Sequence, residues 1–357
     1  MTQSIAPFSR NFGFGFMRLP MNSDQVDIPQ TMQMVDRFLE AGFAYFDTAH
    51  GYLGGMSEVA IRQCLSSRYP RDRFFLTNKL SANYFQTEED ILPLFQQQLE
   101  ACGVEYFDFY LMHALSQARM PQYRQARAFE TAQMLKEQGK IRHIGISFHD
   151  SAQVLEEILQ EYPMIEAVQL QFNYLDYTDS KVQSQLCYEV CRKYHKPVIV
   201  MEPVKGGALV NLPPAAQAVF DQVGSGSNAS YAIRFAAGFP GISMVLSGMS
   251  NLAQLEDNIG FMQHFQPLSP AEQQAVAQVR GILRCQDTIP CTACRYCTEV
   301  CPQEIPIPEL FAADNARRQG QSPAPVSGTA PQDCLKCGKC EEICPQNLPI
   351  RHLLSQL

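Results

Sequence analysis

The sequence has 357 residues and 46% of them are apolar, so the chain can bury one large core, or one core and a small second domain. This composition excludes a disordered or collagen-like chain. The formal charge of −8 argues against binding to nucleic acid or to an anionic membrane surface. No apolar run has the roughly 18 residues that span a bilayer, and the first 16 residues do not resemble a secretory signal. We therefore expect a soluble, cytoplasmic protein.

Up to about residue 265, short β-branched or aromatic runs alternate with longer segments of helical periodicity. The runs predict strands at 14–19, 44–47, 74–79, 107–111, 141–147, 167–171, 198–201 and 242–246. Helices are predicted between them at 31–41, 88–101, 125–137, 152–161, 181–194, 230–237 and 251–261. Eight β-α units favour a closed (β/α)8 TIM barrel, with a doubly wound sheet as the alternative.

The composition changes after a predicted helix at 270–283, where cysteine, proline and polar residues become frequent. Nine of the 13 cysteines lie in this last part of the chain. We therefore predict a barrel domain at 1–284, which ends in a connecting helix, and a small α+β domain at 285–357. Within the second domain, residues 319–332 are rich in Pro, Gly, Ser and Ala and predict a flexible surface loop.

The tail contains the spacing C-x2-C-x2-C-x3-C-P twice. The first copy is Cys291, Cys294, Cys297 and Cys301, and the second is Cys334, Cys337, Cys340 and Cys344. Three thiolates at two-residue gaps can hold one face of a cubane, while the fourth, before proline, can ligate the neighbouring cluster. The tail thus resembles a bacterial ferredoxin with two [4Fe–4S] clusters.

This resemblance implies that the two motifs exchange their fourth ligands. Cys291, Cys294, Cys297 and Cys344 would hold one cluster, and Cys334, Cys337, Cys340 and Cys301 the other. Two structural zinc sites are the alternative, because zinc also accepts four thiolates. Cys285 lies outside both motifs and is expected to be an ordinary buried thiol.

Reactive groups of a (β/α)8 barrel gather at the carboxyl ends of its strands. Asp47 and Lys79 end the second and third predicted strands, and His113 follows the fourth. Tyr52 lies five residues after Asp47. We therefore expect these four side chains to share one mouth of the barrel.

The segments that contain these residues, FDTAHGY, TNKL and DFYLMH, resemble the aldo-keto reductase family over roughly residues 10–265. The resemblance implies a catalytic tetrad of Asp47, Tyr52, Lys79 and His113. The whole chain resembles the branch of that family that carries a ferredoxin-like carboxyl-terminal domain.

The chemistry of a carbonyl reductase gives each member of the tetrad a role. The carbonyl oxygen must be protonated, and a tyrosine with a pKa of about 10 does this near neutral pH only if its pKa is lowered. Lys79 is expected to stabilise the Tyr52 phenolate, and Asp47 to keep Lys79 charged and oriented. His113 is expected to hydrogen-bond the carbonyl oxygen or relay its proton. Each residue taken alone also has an ordinary structural interpretation.

The resemblance also implies a nicotinamide cofactor. Ser147 and Gln169 are expected at the carboxamide, and Met201 takes the position where the family usually stacks an aromatic ring on the nicotinamide. Backbone N–H groups of Ser247, Gly248, Met249 and Ser250 are expected at the phosphates and adenosine, and Asp257 and Asn258 at the adenine. Phe148 replaces the family's usual asparagine. Gly248 and Gln254 stand where members that prefer NADP carry Lys and Arg, so both NADP and NAD remain candidates.

Two histidines flank the expected tetrad. His50 lies between Asp47 and Tyr52, and His149 follows Ser147 by two residues. They either line the substrate pocket or occupy solvated loops.

The two parts of the chain carry electrons differently, because a nicotinamide transfers a hydride whereas each cluster transfers one electron. We predict NAD(P)H-dependent reduction of a small aldehyde or ketone, or the reverse alcohol oxidation, with Tyr52 as proton donor. The clusters would then stabilise the fold, sense redox state or exchange electrons with a redox protein partner. In one alternative the clusters feed a bound flavin or a radical step, although no flavin motif is recognisable. In another, the chain is a non-enzymatic redox sensor or electron carrier.

Overall fold

The computed structural model describes residues 11–224 and 226–357. Its larger part is a closed barrel of eight parallel strands, in which each strand pairs with its neighbours in the chain and the first pairs with the last. The strands are β1 (Phe12–Gly15), β2 (Tyr45–Asp47), β3 (Phe75–Leu80), β4 (Phe107–Leu115), β5 (Ile141–Phe148), β6 (Ala167–Gln171), β7 (Val198–Met201) and β8 (Ile242–Ser247). The predicted TIM barrel is confirmed, and the doubly wound sheet is excluded.

Helices connect the strands of the barrel. They are α1 (Ile28–Glu40), α2 (Met56–Ile61), α3 (Glu88–Cys102), α4 (Met120–Gln125), α5 (Ala128–Glu137), α6 (Ala152–Glu161), α7 (Ser184–Lys193), α8 (Pro214–Asp221), α9 (Asn228–Ala237) and α10 (Leu252–Gln263). A short hairpin of Met21–Asn22 and Gln25–Val26 precedes α1. No helix in the described part of the chain combines the length and the apolar character that a bilayer crossing requires.

The first strand is displaced from its predicted position. The sequence predicted a strand at 14–19, but β1 ends at Gly15 and Phe16–Arg18 form a 3-10 turn. The prediction was wrong here because the apolar run continues through the turn, and Phe16 is as fully buried as the strand residues before it. Arg18 therefore lies in the loop beyond the strand.

Side-chain caps fix the starts of several helices. Asp27 Oδ1 accepts the Gln30 N–H at 3.0 Å at the start of α1, three residues before the predicted start. Pro29 in the first turn does not prevent this, because the first helical N–H groups have no intrahelical acceptor. Asn251 Oδ1 caps α10 in the same way, by accepting the Gln254 N–H at 2.9 Å.

The interior of the barrel is filled by apolar side chains from successive strands. These buried residues are Tyr45, Phe75, Phe109, Leu111, Ala167, Ile199, Met244 and Leu246. Gly145 in β5 makes room for them. A Cβ at this position would lie 2.6 Å from Leu111 Cδ2 and 2.9 Å from the Ala167 carbonyl oxygen.

The structure separates into two compact units. One contains residues 11–203 and 229–269, and the other contains residues 204–228 and 270–357, apart from Ser225, which is outside the described residues. Helix α11 (Pro270–Arg284) belongs to the second unit, where it packs against α8. The predicted helix at 270–283 is thus confirmed, while the domain boundary at residue 285 stays a prediction.

Within the second unit, the turn Lys205–Gly207 contacts the first cysteine motif. Gly206 has a left-handed backbone (φ 63°), and a Cβ there would lie 2.3 Å from the Thr292 carbonyl oxygen. Thr292 is itself buried. Only glycine combines this backbone conformation with so close an approach.

The cysteine-rich tail is built from four short helices, α12 (Tyr296–Glu299), α13 (Ile307–Arg318), α14 (Lys339–Ile343) and α15 (Ile350–Leu354). No β-strand is assigned between residues 285 and 357, so the strand content expected of an α+β domain is not seen there. Apolar residues from both motifs form one core, namely Ile289, Ile305, Ile307, Phe311, Leu348, Ile350 and Leu354. The segment predicted as a loop begins after α13 and has no regular structure before a 3-10 turn at Pro331–Asp333.

We expect Gly145→Ala to lower the free energy of unfolding by about 1–3 kcal/mol, because the added methyl group meets a backbone oxygen that cannot move aside. Gly260→Ala is the control, because Gly260 lies inside α10 with no atom near its Cβ position, and there the change should stabilise slightly. Urea unfolding measures both. Equal effects of the two substitutions would contradict the packing argument.

Candidate functional site

The structure brings a buried ion pair to the end of β2 and β3. Lys79 Nζ donates to Asp47 Oδ1 at 2.5 Å and to the Thr48 carbonyl oxygen at 2.7 Å. Both side chains are almost fully buried. Burial lowers the pKa of Lys79, and the attraction of the Asp47 carboxylate opposes that shift. Asp47 therefore holds an ammonium group in a place where water does not solvate it.

Tyr52 and His113 complete the predicted tetrad. Tyr52 begins a tight turn after β2, and Lys79 Nζ lies 4.7 Å from the centroid of its ring. The rings of Tyr52 and His113 are 5.9 Å apart between centroids. The ammonium thus lies over the Tyr52 ring in a cation–π arrangement. The structure therefore brings together all four residues that the sequence predicted to meet.

His113 is held by groups that the sequence analysis did not identify. Ser81 Oγ lies 2.6 Å from His113 Nδ1, and Tyr123 Oη donates to the His113 carbonyl oxygen at 2.9 Å. Burial, followed by the charge of Lys79, lowers the pKa of His113 well below its usual value. The imidazole is therefore neutral. The sequence feature that could have indicated Ser81 is its position two residues after Lys79.

Two residues expected at the carboxamide lie beside the tetrad. Ser147 and Gln169 are register partners in β5 and β6. Gln169 Nε2 donates to Asp47 Oδ2 at 3.1 Å, so this amide also orients the carboxylate. Ser147 Oγ lies 3.9 Å from Met201 Sδ. Phe148, the departure from the family pattern, is buried. The roles of these residues toward a nucleotide remain predictions.

The loop after β8 precedes α10, as expected. Ser247 and Asn258 are both buried, and Asn258 Nδ2 donates to Ser247 Oγ at 2.9 Å. The Ser250 N–H donates to Gln254 Oε1 at 2.8 Å. Asn258 and Gln254 are thus bonded within the loop and helix. Asp257 lies on the same helix and is exposed. Gly248 and Met249 lie between these contacts, and Met249 is buried.

Arg18 is a cation at this loop that sequence reasoning missed. Its side-chain carbons lie 3.2 Å from the position that a Cβ on Gly248 would occupy. Its carbonyl oxygen accepts from Ser250 Oγ at 2.9 Å, and its guanidinium lies 3.4 Å from Glu202. The sequence analysis placed Arg18 inside a strand and found no basic residue for this part of the site. The earlier end of β1 is what brings it here.

A buried polar network lies behind the tetrad. Glu58 is 1% exposed, and its carboxylate accepts from Asn78 Nδ2 at 2.8 Å and pairs with His50 Nδ1 at 2.8 Å. Asn78 Oδ1 accepts the Lys79 N–H at 2.8 Å and Gln98 Nε2 at 3.1 Å. This network ties the backbone of Lys79 to the loop between Asp47 and Tyr52. Its members come from separate segments, so no single motif predicted it.

Four cysteines line each of two cavities in the tail. Cys291, Cys294, Cys297 and Cys344 line one, and Cys301, Cys334, Cys337 and Cys340 line the other. Ile307 lies in the wall between them, because it lines both cavities. Each cavity thus takes three thiols from one motif and the fourth from the other. Four thiols in an apolar setting fit a [4Fe–4S] cluster, for which thiolates are the usual ligands.

The two cysteine motifs repeat the same backbone conformation. Ala293 and Lys336 are both left-handed, with φ of 52° and 55°, and so are Arg295 and Gly338. In each motif the N–H two residues after the first cysteine donates to its sulfur at 3.4 Å. Equal conformations at equal spacing produce two equivalent cavities.

Cys285 differs from its expectation. It was expected to be buried, but it is exposed in the turn that follows α11, so that prediction was wrong. The helix ends at Arg284, and its apolar face does not extend to the next residue.

The two histidines that flank the tetrad differ in their surroundings. His50 is partly buried against Glu58. Burial lowers the pKa of His149 to about 4.

Comparison with protein families identifies both parts of the chain. The family model described as "Aldo/keto reductase family" matches residues 11–280, most of the chain, so the chain belongs to this family. The model described as "4Fe-4S dicluster domain" matches residues 290–348. The predicted resemblance to the branch with a ferredoxin-like domain is therefore confirmed.

Individual relatives are distant. The chain is 26% identical to 9,11-endoperoxide prostaglandin H2 reductase of Trypanosoma cruzi over 184 residues, which are 51% of this chain and 59% of that protein. It is 26% identical to NADH-specific methylglyoxal reductase of Escherichia coli, over 49% of this chain and 57% of that protein. L-galactose dehydrogenase of Arabidopsis thaliana is 24% identical over 76% of this chain and 89% of its own length.

Solved structures share the fold of the barrel. An aldo-keto reductase from Klebsiella pneumoniae in complex with NADPH has a TM-score of 0.61 at 16% identity, over 76% of this chain and 90% of that one. The holo form of an aldo-keto reductase from Bacillus halodurans has a TM-score of 0.62 at 22% identity, over 75% of this chain and 91% of that one. At these identities the likeness concerns the fold.

We expect Cys294→Ser and Cys337→Ser each to remove about half of the iron bound to the chain, because each change takes one thiol from one cavity. Cys285→Ser is the matched control, because that thiol is exposed and lines neither cavity. Iron and acid-labile sulfide analysis of anaerobically reconstituted protein gives the readout. Loss of all iron in either variant, or of none, would contradict two separate sites.

Proposed function

We propose that the chain reduces an aldehyde or ketone with a nicotinamide nucleotide, and that its tail holds two [4Fe–4S] clusters that exchange single electrons with a redox protein partner. The observation that supports the reduction most directly is the buried Lys79–Asp47 pair beneath the Tyr52 ring. Membership of the aldo-keto reductase family supports the same chemistry. The reverse reaction, alcohol oxidation, uses the same groups.

When bound, the nicotinamide supplies a hydride to the carbonyl carbon. The Tyr52 hydroxyl then gives its proton to the carbonyl oxygen, so that C=O becomes CH–OH and the phenolate remains. The Lys79 ammonium stabilises this phenolate, and Asp47 keeps the ammonium charged in a buried place. Burial keeps the pKa of His113 well below its usual value, so the imidazole is neutral, and Ser81 Oγ at 2.6 Å from Nδ1 leaves Nε2 for the carbonyl oxygen.

The loop after β8 and Arg18 supply a place for the phosphates of the nucleotide. The loop leads into α10, whose N-terminus favours anions, and the side-chain carbons of Arg18 pass Gly248 while its guanidinium pairs with Glu202 at 3.4 Å. A cation near this loop supports keeping NADP as a candidate beside NAD. We retain both nucleotides, because the Klebsiella structure is a complex with NADPH and the Escherichia coli relative is named as NADH-specific.

We expect Arg18→Gln to weaken nucleotide binding about tenfold or more, because a charge-assisted hydrogen bond to phosphate is lost. Arg124→Gln is the control, because Arg124 pairs with Glu161 between α4 and α6. Titration of nucleotide fluorescence measures the Kd for NADPH and NADH. A loss confined to NADPH places Arg18 at the 2′-phosphate, and equal losses place it at the pyrophosphate. Unchanged Kd values for both would contradict a role in phosphate binding.

We expect Tyr52→Phe to lower kcat for carbonyl reduction by about 10²–10⁴-fold, because the proton donor is removed while the ring remains. Tyr188→Phe is the control, since the Tyr188 hydroxyl bonds to the Pro240 carbonyl oxygen on the outside of the barrel. Steady-state assays under anaerobic conditions compare the variants. A Tyr52→Phe enzyme that retains full turnover would contradict the assignment.

The same assay tests how the clusters participate. If the clusters serve a partner rather than the hydride reaction, their visible absorbance stays that of the oxidised form while aldehyde consumes the nucleotide. Reduction of the clusters by NADPH or NADH alone would favour the alternative in which a flavin connects the nucleotide to the clusters.

A further inference from the structure

Thr298 carries a buried hydroxyl beside one of the cysteines of the tail. It directly follows Cys297 in the short helix α12. Its Oγ1 is buried and makes no hydrogen bond of normal geometry with any group in the part of the chain that the structure describes. The backbone of Thr298 is satisfied, because its N–H donates to the Arg295 carbonyl oxygen at 2.9 Å. A buried hydroxyl without a partner destabilises a fold, so this one requires an explanation.

The surroundings of Thr298 place its hydroxyl next to a sulfur atom. Helix α12 packs against α13 and α14, which keeps water from the side chain. Cys297 is buried and lines a cavity with Cys291, Cys294 and Cys344, which we call the first-motif cavity. Burial and the other cysteines of this cavity raise the pKa of the Cys297 thiol, and the Thr298 hydroxyl acts in the opposite direction. The hydroxyl is therefore placed to donate to the Cys297 sulfur when that sulfur carries negative charge.

The second cysteine motif has a different group at the equivalent position. Glu341 follows Cys340 as Thr298 follows Cys297. The Glu341 carboxylate accepts the Arg351 N–H at 2.8 Å and Arg351 Nε at 2.9 Å. A carboxylate has no proton to donate, and this one is engaged by the arginine. A hydroxyl donor at this position is thus a feature of the first motif and not of the second.

Other polar features of the two cavities balance each other. Each cavity is lined by one arginine that pairs with a glutamate, Arg295 with Glu309 in one and Arg351 with Glu341 in the other. Each motif also has a backbone N–H that donates to its first cysteine sulfur at 3.4 Å. The Thr298 hydroxyl is therefore a difference that these shared features do not cancel.

We propose that the Thr298 hydroxyl donates a hydrogen bond to the Cys297 sulfur of a [4Fe–4S] cluster in the first-motif cavity and makes that cluster easier to reduce. Reduction moves one electron from the redox protein partner to the cluster and oxidises the partner by one electron. The added negative charge spreads onto the ligand sulfurs, and a hydrogen bond to such a sulfur stabilises the reduced form. Thr298 is thus a positioning residue that acts through Cys297. This inference rests on the clusters of the proposed function.

The first test measures the potential of one cluster. Thr298→Val keeps the shape of the side chain and replaces the hydroxyl with a methyl group. It is made in a full-length chain that also carries Cys337→Ser, so that four thiols remain in the first-motif cavity alone. In an anaerobic redox titration followed by electron paramagnetic resonance, the ratio of reduced to oxidised cluster at a fixed potential should fall about tenfold, or about 59 mV for one electron. An unchanged potential would overturn the proposal.

Three controls separate the hydroxyl from a general effect on the tail. Thr298→Ser keeps a hydroxyl and should keep the potential. Thr131→Val removes the hydroxyl of another buried threonine, which bonds to the Arg127 carbonyl oxygen in α5, and should also keep it. Thr298→Val combined with Cys294→Ser should cause no shift, because the remaining four-thiol site is then the other cavity. Equal shifts in the Cys337→Ser and Cys294→Ser chains would contradict an action through Cys297.

A second measurement detects the hydrogen bond itself. Electron–nuclear double resonance of the reduced cluster, in H2O and in D2O, resolves exchangeable protons that lie close to its sulfur atoms. In the Cys337→Ser chain, one such proton should be present with Thr298 or Thr298→Ser and absent with Thr298→Val. Identical proton spectra in the serine and valine variants would overturn the proposal.

These measurements do not require carbonyl reduction, so their outcome is independent of the substrate. A full-length chain that binds no iron after anaerobic reconstitution contradicts the clusters of the proposed function, and the inference fails with them. A chain that binds iron with the potential and the proton spectrum unchanged by Thr298→Val overturns the inference alone.

Discussion

The buried pair of Lys79 and Asp47 is the interaction on which the arrangement of the barrel mouth depends. Taking both charges out of water costs several kcal/mol per ion, and this is offset only if the geometry is close and the remaining polar atoms are satisfied. The register of β2 with β3 meets the first condition by aligning Asp47 with Thr77, two residues before Lys79. The second condition is met because the Thr48 carbonyl oxygen accepts from Lys79 Nζ and the Gln169 amide donates to Asp47 Oδ2. Removing one partner would leave an uncompensated charge at a cost of about 3–5 kcal/mol.

The sequence predicted the parts of this architecture that repeat or that lie close together in the chain. Eight alternations of strand and helix specified the barrel, and the β6 segment at 167–171 was placed with both ends correct. The tetrad was predictable because Asp47, Lys79 and His113 lie at or near the carboxyl ends of β2, β3 and β4, and Tyr52 lies in the loop after β2. The start of the barrel was not, because the burial of Phe16 extends the apolar run beyond β1 and hid Arg18. Glu58 and Ser81 were missed since their partners lie far away in the sequence.

In the tail, too, the cysteine spacing predicted some features, and others depend on how the helices pack. Two identical cysteine spacings predicted two four-thiol sites, and the structure places one cysteine of each motif in the cavity of the other. The exposure of Cys285 could not be predicted, because it depends on where α11 ends. Spacing also did not indicate that α11 packs with α8, a helix from between β7 and β8.

The close approach of Gly206 to Thr292 bears on how the chain is made and how it has evolved. The second unit takes one segment from the middle of the chain and the rest from its end, so the ribosome finishes β8 before that unit can close. A tail joined to some other barrel of this family would meet a side chain at the position of Gly206 unless that turn also had glycine. The iron–sulfur domain is therefore not an interchangeable module, because part of its own packing is encoded more than eighty residues before the first cysteine of its two motifs.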